Sequence, residues 1–539
     1  MNLDRVLIYD TTLRDGTQGE GISLSVEDKL KIAVRLDQFG VHYIEGGWPG
    51  SNPKDMEFFL RVKELKLNHA KITAFGSTRR QGIRADQDEN LQKLLESGVE
   101  VATIFGKTWD FHVTHALKTT LEENLTMIND SVSFLKSNGI EVIFDAEHFF
   151  DGYKRNPEYA ISALEKAEEG GADWIVLCDT NGGTLPHEVE EIVTKVKRSI
   201  QTPIGVHCHN DSECAVANSI AAVRAGARQV QGTVNGYGER CGNANLISII
   251  PNLQLKLKYH CVEDVQLKSL TSVSRYVHEI ANVALPNAQP FVGISAFAHK
   301  GGMHVSAILK SPDTYEHLEP EQVGNQRRVL VSELSGQSNL LFKAQELNID
   351  LEKSNPIAKN IIQKIKEKEH EGYQYEGADA SFELLVRDGL GEIEELFTLD
   401  SFKLFVEKSA DSAIKTEAIV KLRVLDEIVH TAAEGNGPVN ALDNALRKAL
   451  ETYYPPIKGM HLSDYKVRVL DEGGATAAKV RVLIESSDGE KQWNTVGVSA
   501  NIIEASWQAL CDSICYLLMD AKKPEIVPNN DEPVGIINH

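Results

Sequence analysis

With 539 residues, 42% of them apolar and only 17 prolines, the chain is too long for one ordinary domain and has the composition of a globular body with an appendage, not of a disordered or fibrous protein. Its 78 acidic and 56 basic side chains leave a formal net charge of −22, which argues against sequence-independent nucleic-acid binding or an anionic membrane partner and requires a locally basic pocket for any polyanionic ligand. Seven cysteines without a CxxC pair, a start that lacks a charged-then-apolar leader, and no apolar run of about 18 residues point to a reducing, cytoplasmic setting without secretion or membrane spanning.

In chain order, the first strand-like run is Val6–Asp10, and Ser25 with Asp28 then forms a capping-box pattern that opens a helix closed by Gly40. Strands at Tyr43–Glu45, Ile72–Phe75, Val101–Phe105, Glu141–Phe144, Trp174–Cys178, Ile204–Val206 and Gln229–Thr233 follow. They are short and apolar on nearly every position, as a parallel sheet buried on both faces requires. Between them, Leu121, Leu125, Ile128, Val132 and Leu135 mark one stripe of an amphipathic helix. A glycine, a small or β-branched residue and an extended apolar run recur at Gly40, Gly98, Gly139, Gly171 and Gly226, the pattern of helices that end in a left-handed residue just before a strand. Eight strand–helix units in about 250 residues are the arithmetic of an α/β fold closed as a (β/α)8 TIM barrel. An open doubly wound sheet, the alternative, would place a glycine fingerprint in its first βα turn, where this chain has Asp10-Thr-Thr-Leu-Arg-Asp-Gly16.

Such a barrel gathers its chemistry at the C-terminal ends of its strands. Those ends deliver Arg14 and Asp15, Glu45, Ser77 and Arg79, Lys107, Glu147 and His148, Asp179 and Thr180, and then His207-Cys-His209-Asn-Asp211. Two imidazoles two residues apart on an extended chain point the same way and can chelate one metal. The bland alternative is a polar strand terminus bonded to backbone carbonyls. Strand one neighbours strand eight in a closed barrel, so Asp15 can complete the site, and Asn243 from the following loop offers an amide oxygen. This donor set suits an octahedral divalent cation with open positions rather than a structural zinc. A small α-keto acid bound there would have its carbonyl polarised, with Arg14 stabilising the oxyanion.

Four stretches, Asp10-Thr-Thr-Leu-Arg-Asp-Gly-Thr-Gln18, His207–Asp211, Gly238-Glu-Arg-Cys-Gly-Asn-Ala244 and Ala298-His-Lys-Gly-Gly-Met-His304, resemble those of the acyl-CoA-dependent Claisen condensation family that includes the 2-isopropylmalate, homocitrate and citramalate synthases. The likeness extends over nearly the whole chain, whereas hydroxymethylglutaryl-CoA lyase is similar in the barrel alone. It implies that Asp15, His207, His209 and Asn243 hold a divalent metal, Mg²⁺ or Mn²⁺ with Zn²⁺ as the alternative. It also implies that Arg14 polarises the keto carbonyl, that Thr180 bonds the substrate carboxylate, and that Glu147 and His304, assisted by Tyr315, act on the acetyl group of acetyl-CoA. On that likeness His304 reaches over the barrel mouth from a segment beyond it. Two departures from the usual pattern, Thr17 and Trp48, resemble the citramalate-forming members, which condense acetyl-CoA with pyruvate on a route to isoleucine. The alternatives are 2-oxoisovalerate and 2-oxoglutarate, the keto acids of the 2-isopropylmalate and homocitrate branches. A bulky Trp48 suits a substrate as small as pyruvate. Arg79, Arg80, Lys107, Lys300, Arg327 and Arg328 are candidates for the basic opening that CoA phosphates need.

Beyond the catalytic barrel, read as 1–270, residues 271–385 are expected to form helical linker subdomains that contribute to the active site. Within them the Lys/Glu-rich run Ile361–His370 reads as a solvated helix, and Glu371–Gly377 as a boundary. Residues 386–525 contain a second repeat, Lys421–Val424 leading to a helix Ala441–Tyr453 and Lys479–Val482 leading to a helix Ile502–Met519, two ββα-like copies in an α+β domain. By resemblance this is the regulatory domain, implying a homodimer and isoleucine or leucine as effector. Pro524–His539 reads as a frayed tail. A barrel that had become an amino-acid sensor would have lost site residues, yet Arg14, Asp15, Glu147, His207, His209, Asn243 and His304 are all present. An amidohydrolase barrel would carry its His-x-His on the first strand.

Overall fold

A computed structural model describes residues 5–330, 340, 341, 344, 356–408, 414–425, 427–470 and 478–519; the tail Pro524–His539 lies outside them. The described chain divides into two compact units, 1–297 with 317–327, and 298–316 with 328–539. Among the described residues no helix is long and apolar enough to cross a membrane.

The first unit is the expected TIM barrel. Strands β1 (Leu7–Asp10), β2 (Tyr43–Gly47), β3 (Lys71–Ser77), β4 (Val101–Lys107), β5 (Glu141–Glu147), β6 (Trp174–Asp179), β7 (Ile204–Cys208) and β8 (Gln229–Gly232) run in sequence order, and β8 pairs in parallel with β1 to close the sheet. Ser25 and Asp28 form the reciprocal capping box that opens helix Val26–Phe39, and Gly40, at φ 89°, ends it in a conformation that costs other residues a steric clash. All five repeated glycines have positive φ. Helix Leu270–Ile280 buries Val273 and Val277 in the same core as Ile32 and Leu36, so the barrel unit continues past residue 270.

Side-chain alternation along the strands decides what reaches the barrel interior. On β6, Ile175 and Leu177 join the core under the helices, while Trp174, Val176 and Cys178 fill the barrel with Tyr9, Tyr43, Val101 and Ile143. The same parity turns Glu45, Phe75, Phe105, Asp145, Glu147, His207 and Gln231 inward, because Ile44, Ala74, Ile104, Phe144, Ala146, Val206 and Val230 face the helices. Polar residues thus stack above an apolar floor.

The second unit contains a two-stranded parallel pair, β9 (Ala298–His299) and β10 (Arg328–Val329), and two three-stranded antiparallel sheets. The repeat is richer than two ββα copies. Each half has three strands before its helix: β11 (Phe397–Glu407), β12 (Lys415–Val424) and β13 (Glu427–Gly435) precede Pro438–Leu450, and β14 (His461–Val469), β15 (Val480–Ser487) and β16 (Gln492–Ser499) precede Ile502–Leu518. The extra strands, β11 and β14, are edge strands with mixed exposed and half-buried residues, so neither presents a fully buried face.

One expectation for the connecting segment changes. The run Ile361–His370 belongs to helix Pro356–Glu371, which is amphipathic rather than solvated: Ile361 and Ile365 are 1% and 2% exposed and pack with Phe382 and Val386. Their four-residue spacing puts them on one face, hidden in the sequence by surrounding lysines and glutamates. The expected boundary Glu371–Gly377 is a packed segment. Tyr375 is buried in the same cluster, and Tyr373 donates its hydroxyl to Gln508 Oε1 at 2.8 Å. Replacing Ile365 by alanine should therefore cost the second unit about 2–5 kcal/mol in urea unfolding, while the same change at exposed Lys366 should stay within about 0.5 kcal/mol.

Candidate active site

The turn after β1 is shaped by its own side chains. Buried Asp10 accepts from Thr12 N and Oγ1, and Thr12 Oγ1 accepts from Val234 N at 2.9 Å, tying the turn to the end of β8. Burial pushes the Asp10 carboxyl up to about 7, against these hydrogen bonds. Arg14 and Asp15 are thereby set at the barrel mouth beside β7. There the chain past Cys208 makes an antiparallel bridge from His209 to Asn243. Gly238, at φ 150°, approaches the Asn243 amide so closely that a Cβ would lie 2.2 Å from its Nδ2.

Asp15, His207 and His209 offer ligand atoms within 4.8 Å of one another, and all three are buried. His207 Nε2 is 3.4 Å from Asp15 Oδ2 and 3.4 Å from His209 Nε2. Next to them, Asn243 donates Nδ2–H to Tyr237 O, which leaves its buried Oδ1 without a hydrogen-bond partner; His209 Nδ1 is likewise buried and unpartnered. Two lone-pair atoms left unpaired in a protein interior are costly, and one carboxylate, two imidazoles and an amide oxygen are the donors a divalent cation takes. The residues fit a metal.

Electrostatics sharpens that fit. Burial alone would raise the Asp15 carboxyl, but the Arg14 charge and the hydrogen bond and charge of His207 outweigh it and hold Asp15 well below the carboxylate range. Burial would lower His207, and the hydrogen bond and charge of Asp15 reverse this to a net rise. His209 is pushed down to about 4 by burial and by His207, which keeps it in the neutral form that ligates metals.

Around this cluster lies a cavity of about 240 Å³ at the barrel mouth. Arg14 donates Nε–H to Glu45 Oε1 at 2.6 Å, sits 3.7 Å above the Phe75 ring, and has Nη1 3.6 Å from Asp15. Trp48 packs edge-on against Phe75 and Phe105, each at 5.7 Å between ring centroids. Its indole N–H donates to Asn90 Oδ1 at 2.7 Å and its backbone N–H to Asp55, which buried Lys29 pairs. Glu147 lines the cavity and forms an ion pair with Lys107, its register partner on β4. Thr180 accepts from His148 N at 2.9 Å, and Arg240, bidentate to Asp211, also bonds the Thr180 carbonyl.

Of the residues singled out from sequence, Arg14, Asp15, Glu147, Thr180, His207 and His209 share this cavity, with Asn243 beside His209. His304 and Tyr315 lie in the second unit, where their rings stack with centroids 4.1 Å apart. Two members of the basic set are committed elsewhere. Arg79 is buried between Glu123 and Asp130, and Lys107 serves Glu147, so neither is a free phosphate contact. Arg80 is exposed at the rim of a neighbouring cavity of about 470 Å³ that also includes Ser77 and Thr119. Asp145, Gln231, Phe75 and Phe105 have no role assigned from the sequence; polar residues at inward parity within apolar strands, as in Glu141-Val-Ile-Phe-Asp-Ala-Glu147, are the signal that marks the first two.

Comparison with known proteins adds to this geometry. The HMGL-like family matches residues 5–277, the homocitrate synthase post-HMGL domain-like family residues 291–372, and the LeuA allosteric (dimerisation) domain residues 376–518. The chain is 58% identical over 521 residues to the (R)-citramalate synthase of Geobacter sulfurreducens, covering 96% of this chain and 99% of that one. Against the (R)-citramalate synthase of Aquifex aeolicus the identity is 57% over 526 residues, covering 97% and 100%. With the 2-isopropylmalate synthase of Methanocaldococcus jannaschii it is 32% over 522 residues, 96% of each.

Calorimetric titration of the metal-free protein with Mn²⁺ should give one strong site per chain. Asp15→Asn should weaken it about 100-fold and His207→Ala should abolish it with the far-UV spectrum unchanged, since each removes a donor that the unpaired Asn243 oxygen cannot replace.

Proposed function

The chain belongs to the (R)-citramalate synthase family, enzymes of the acyltransferase class, and from that premise we propose that it condenses acetyl-CoA with pyruvate and hydrolyses the thioester to release (R)-citramalate and CoA. The observation that carries this reading is the convergence of Asp15, His207 and His209 beside an unpaired Asn243 oxygen, under a guanidinium and an aromatic wall.

Asp15, His207, His209 and Asn243 would hold the cation, Mg²⁺ or Mn²⁺ on the chemistry of the mixed nitrogen and oxygen donors. When bound, it supplies Lewis-acid polarisation of a keto carbonyl. Arg14, oriented by Glu45 and Phe75, places positive charge where the carbonyl oxygen becomes an alkoxide. Thr180 has its hydroxyl at the cavity wall, available to the substrate carboxylate. Glu147, at the cavity, is assigned to the acetyl methyl: it takes the proton, the resulting enolate carbon bonds to the keto carbon, and a proton returns to the new alkoxide. Water then adds to the thioester carbonyl and CoA leaves as the thiol. Arg80 is among the candidates retained for CoA phosphate contact.

The identity of the keto acid rests on size. Trp48, Phe75 and Phe105 form one wall of a cavity of about 240 Å³, and Trp48 is fixed both at its indole by Asn90 and at its backbone by Asp55. On this reading the pyruvate methyl faces that wall, and the branched side chain of 2-oxoisovalerate would crowd it, since close-packed aromatic rings yield little to added carbons. The 58% and 57% identities to (R)-citramalate synthases, against 32% to a 2-isopropylmalate synthase, support the same choice. On this reading the product feeds isoleucine biosynthesis in the cytoplasm, and the second unit mediates homodimerisation and binds isoleucine or leucine as effector.

The test is CoA release from acetyl-CoA with pyruvate, 2-oxoisovalerate and 2-oxoglutarate, each with and without Mg²⁺ or Mn²⁺. Expected is metal-dependent turnover with pyruvate at least 100-fold above the other two in kcat/KM, a margin that Trp48→Ala narrows by at least tenfold. Preference for 2-oxoisovalerate would move the protein to the 2-isopropylmalate branch; no turnover of any keto acid would contradict the reading altogether.

A further inference from the structure

One ligand of the candidate metal site is backed by a buried chain that the proposed reaction does not use. His207 Nδ1 lies 3.0 Å from Gln231 Oε1, and Gln231 Nε2 lies 2.9 Å from Asp145 Oδ1. His207 and Gln231 are register partners on β7 and β8, so the amide is delivered directly beside the ring, while Asp145 comes from β5. Gln231 is 0% exposed and Asp145 5%, which leaves little room for water to substitute for either bond.

We propose that Gln231 and Asp145 form a tautomer lock that keeps the Nε2 lone pair of His207 directed at the cation, which makes both of them positioning residues of the metal site. This rests on the metal-binding reading given above. The amide has two faces of opposite chemistry, and Asp145 selects between them. A carboxylate accepts only, so the Gln231 NH₂ must face Asp145 and its carbonyl oxygen must face His207. That oxygen can be satisfied only if Nδ1 carries the proton, which leaves Nε2 free. Flipping the amide would set oxygen against oxygen at Asp145 and NH₂ against the ring, stabilising the other tautomer, with its proton on Nε2 aimed at Asp15 and His209. Burial raises the Asp145 carboxyl to about 7, and the selection is exerted by its ionised form, because a protonated carboxyl can also donate to a flipped amide.

The experiment measures Mn²⁺ affinity by the EPR signal of free Mn²⁺, on full-length wild type and the variants Gln231→Met, Gln231→Glu and Asp145→Leu. Methionine keeps the volume and removes the acceptor, so Gln231→Met should weaken Mn²⁺ binding 10- to 100-fold. Gln231→Glu restores an acceptor for Nδ1–H, sharing one proton with Asp145, and should bind within about threefold of wild type. Removing the group that orients the amide, Asp145→Leu, should weaken binding about tenfold. Wild-type affinity in Gln231→Met, or a Gln231→Glu variant as weak as Gln231→Met, overturns the lock; unchanged affinity in Asp145→Leu overturns the part given to Asp145. Absence of Mn²⁺ binding in the wild type overturns the metal reading and the lock with it, so the two failures are distinguishable. A second readout needs no variant of the relay. The ¹⁵N spectrum of metal-free, histidine-labelled protein at alkaline pH, assigned with His207→Gln, should show His207 protonated at Nδ1; protonation at Nε2 overturns the proposal even if the variants fail to fold.

Discussion

Asp15, His207 and His209 bring three buried ligand atoms to one point, and the rest of the barrel mouth is arranged around the electrostatic cost of doing so. A low-dielectric site with several ionisable groups is stable only if each charge is paired, neutralised or ligated. Arg14 is matched by Glu45 and Asp15, and Lys107 by Glu147. Glu45 in turn accepts from Tyr9 at 2.7 Å, which links the pairing to the barrel interior. Asp145 escapes the problem by moving toward the neutral form, and His209 by staying unprotonated. Among the atoms still without a hydrogen-bond partner next to this cluster are the Asn243 oxygen and His209 Nδ1.

Much of this was legible in the sequence because the barrel is built from local rules. Helix-ending glycines at Gly40, Gly98, Gly139, Gly171 and Gly226 mark helix-to-strand turns, since a left-handed residue is a requirement of the backbone itself and needs no tertiary context. His207 and His209 share a side because a strand alternates. Closure of the barrel then brings Asp15 to them without any further assumption.

Other features depend on contacts between residues far apart in the chain. Arg79 looks like a phosphate ligand until the helix Leu121–Ser137 brings Glu123 and Asp130 to it. Asp145 and Gln231 acquire meaning only when β5, β7 and β8 place them within reach of His207. Trp48 was conspicuous as a residue type, but its partners Asn90, Phe75 and Phe105 come from other strands and a helix. In the second unit, β12 buries Ala418, Val420, Leu422 and Val424, whereas the edge strands β11 and β14 bury no residue fully although Phe402-Lys-Leu404 and Tyr465-Lys-Val467 alternate in the same way. Helix Pro356–Glu371 carries a short apolar stripe, Ala358, Ile361 and Ile365, among charges, and the packing of Tyr375 and Phe382 shows that this face is buried.

The central claim is that the keto acid and the cation occupy one site and depend on each other. Pyruvate binding to the protein, measured calorimetrically in the absence of acetyl-CoA, tests it most directly. Saturating Mn²⁺ should tighten pyruvate binding at least tenfold, and pyruvate should tighten Mn²⁺ by the same factor, as linkage requires. Equal pyruvate affinity with and without the cation would contradict the shared site.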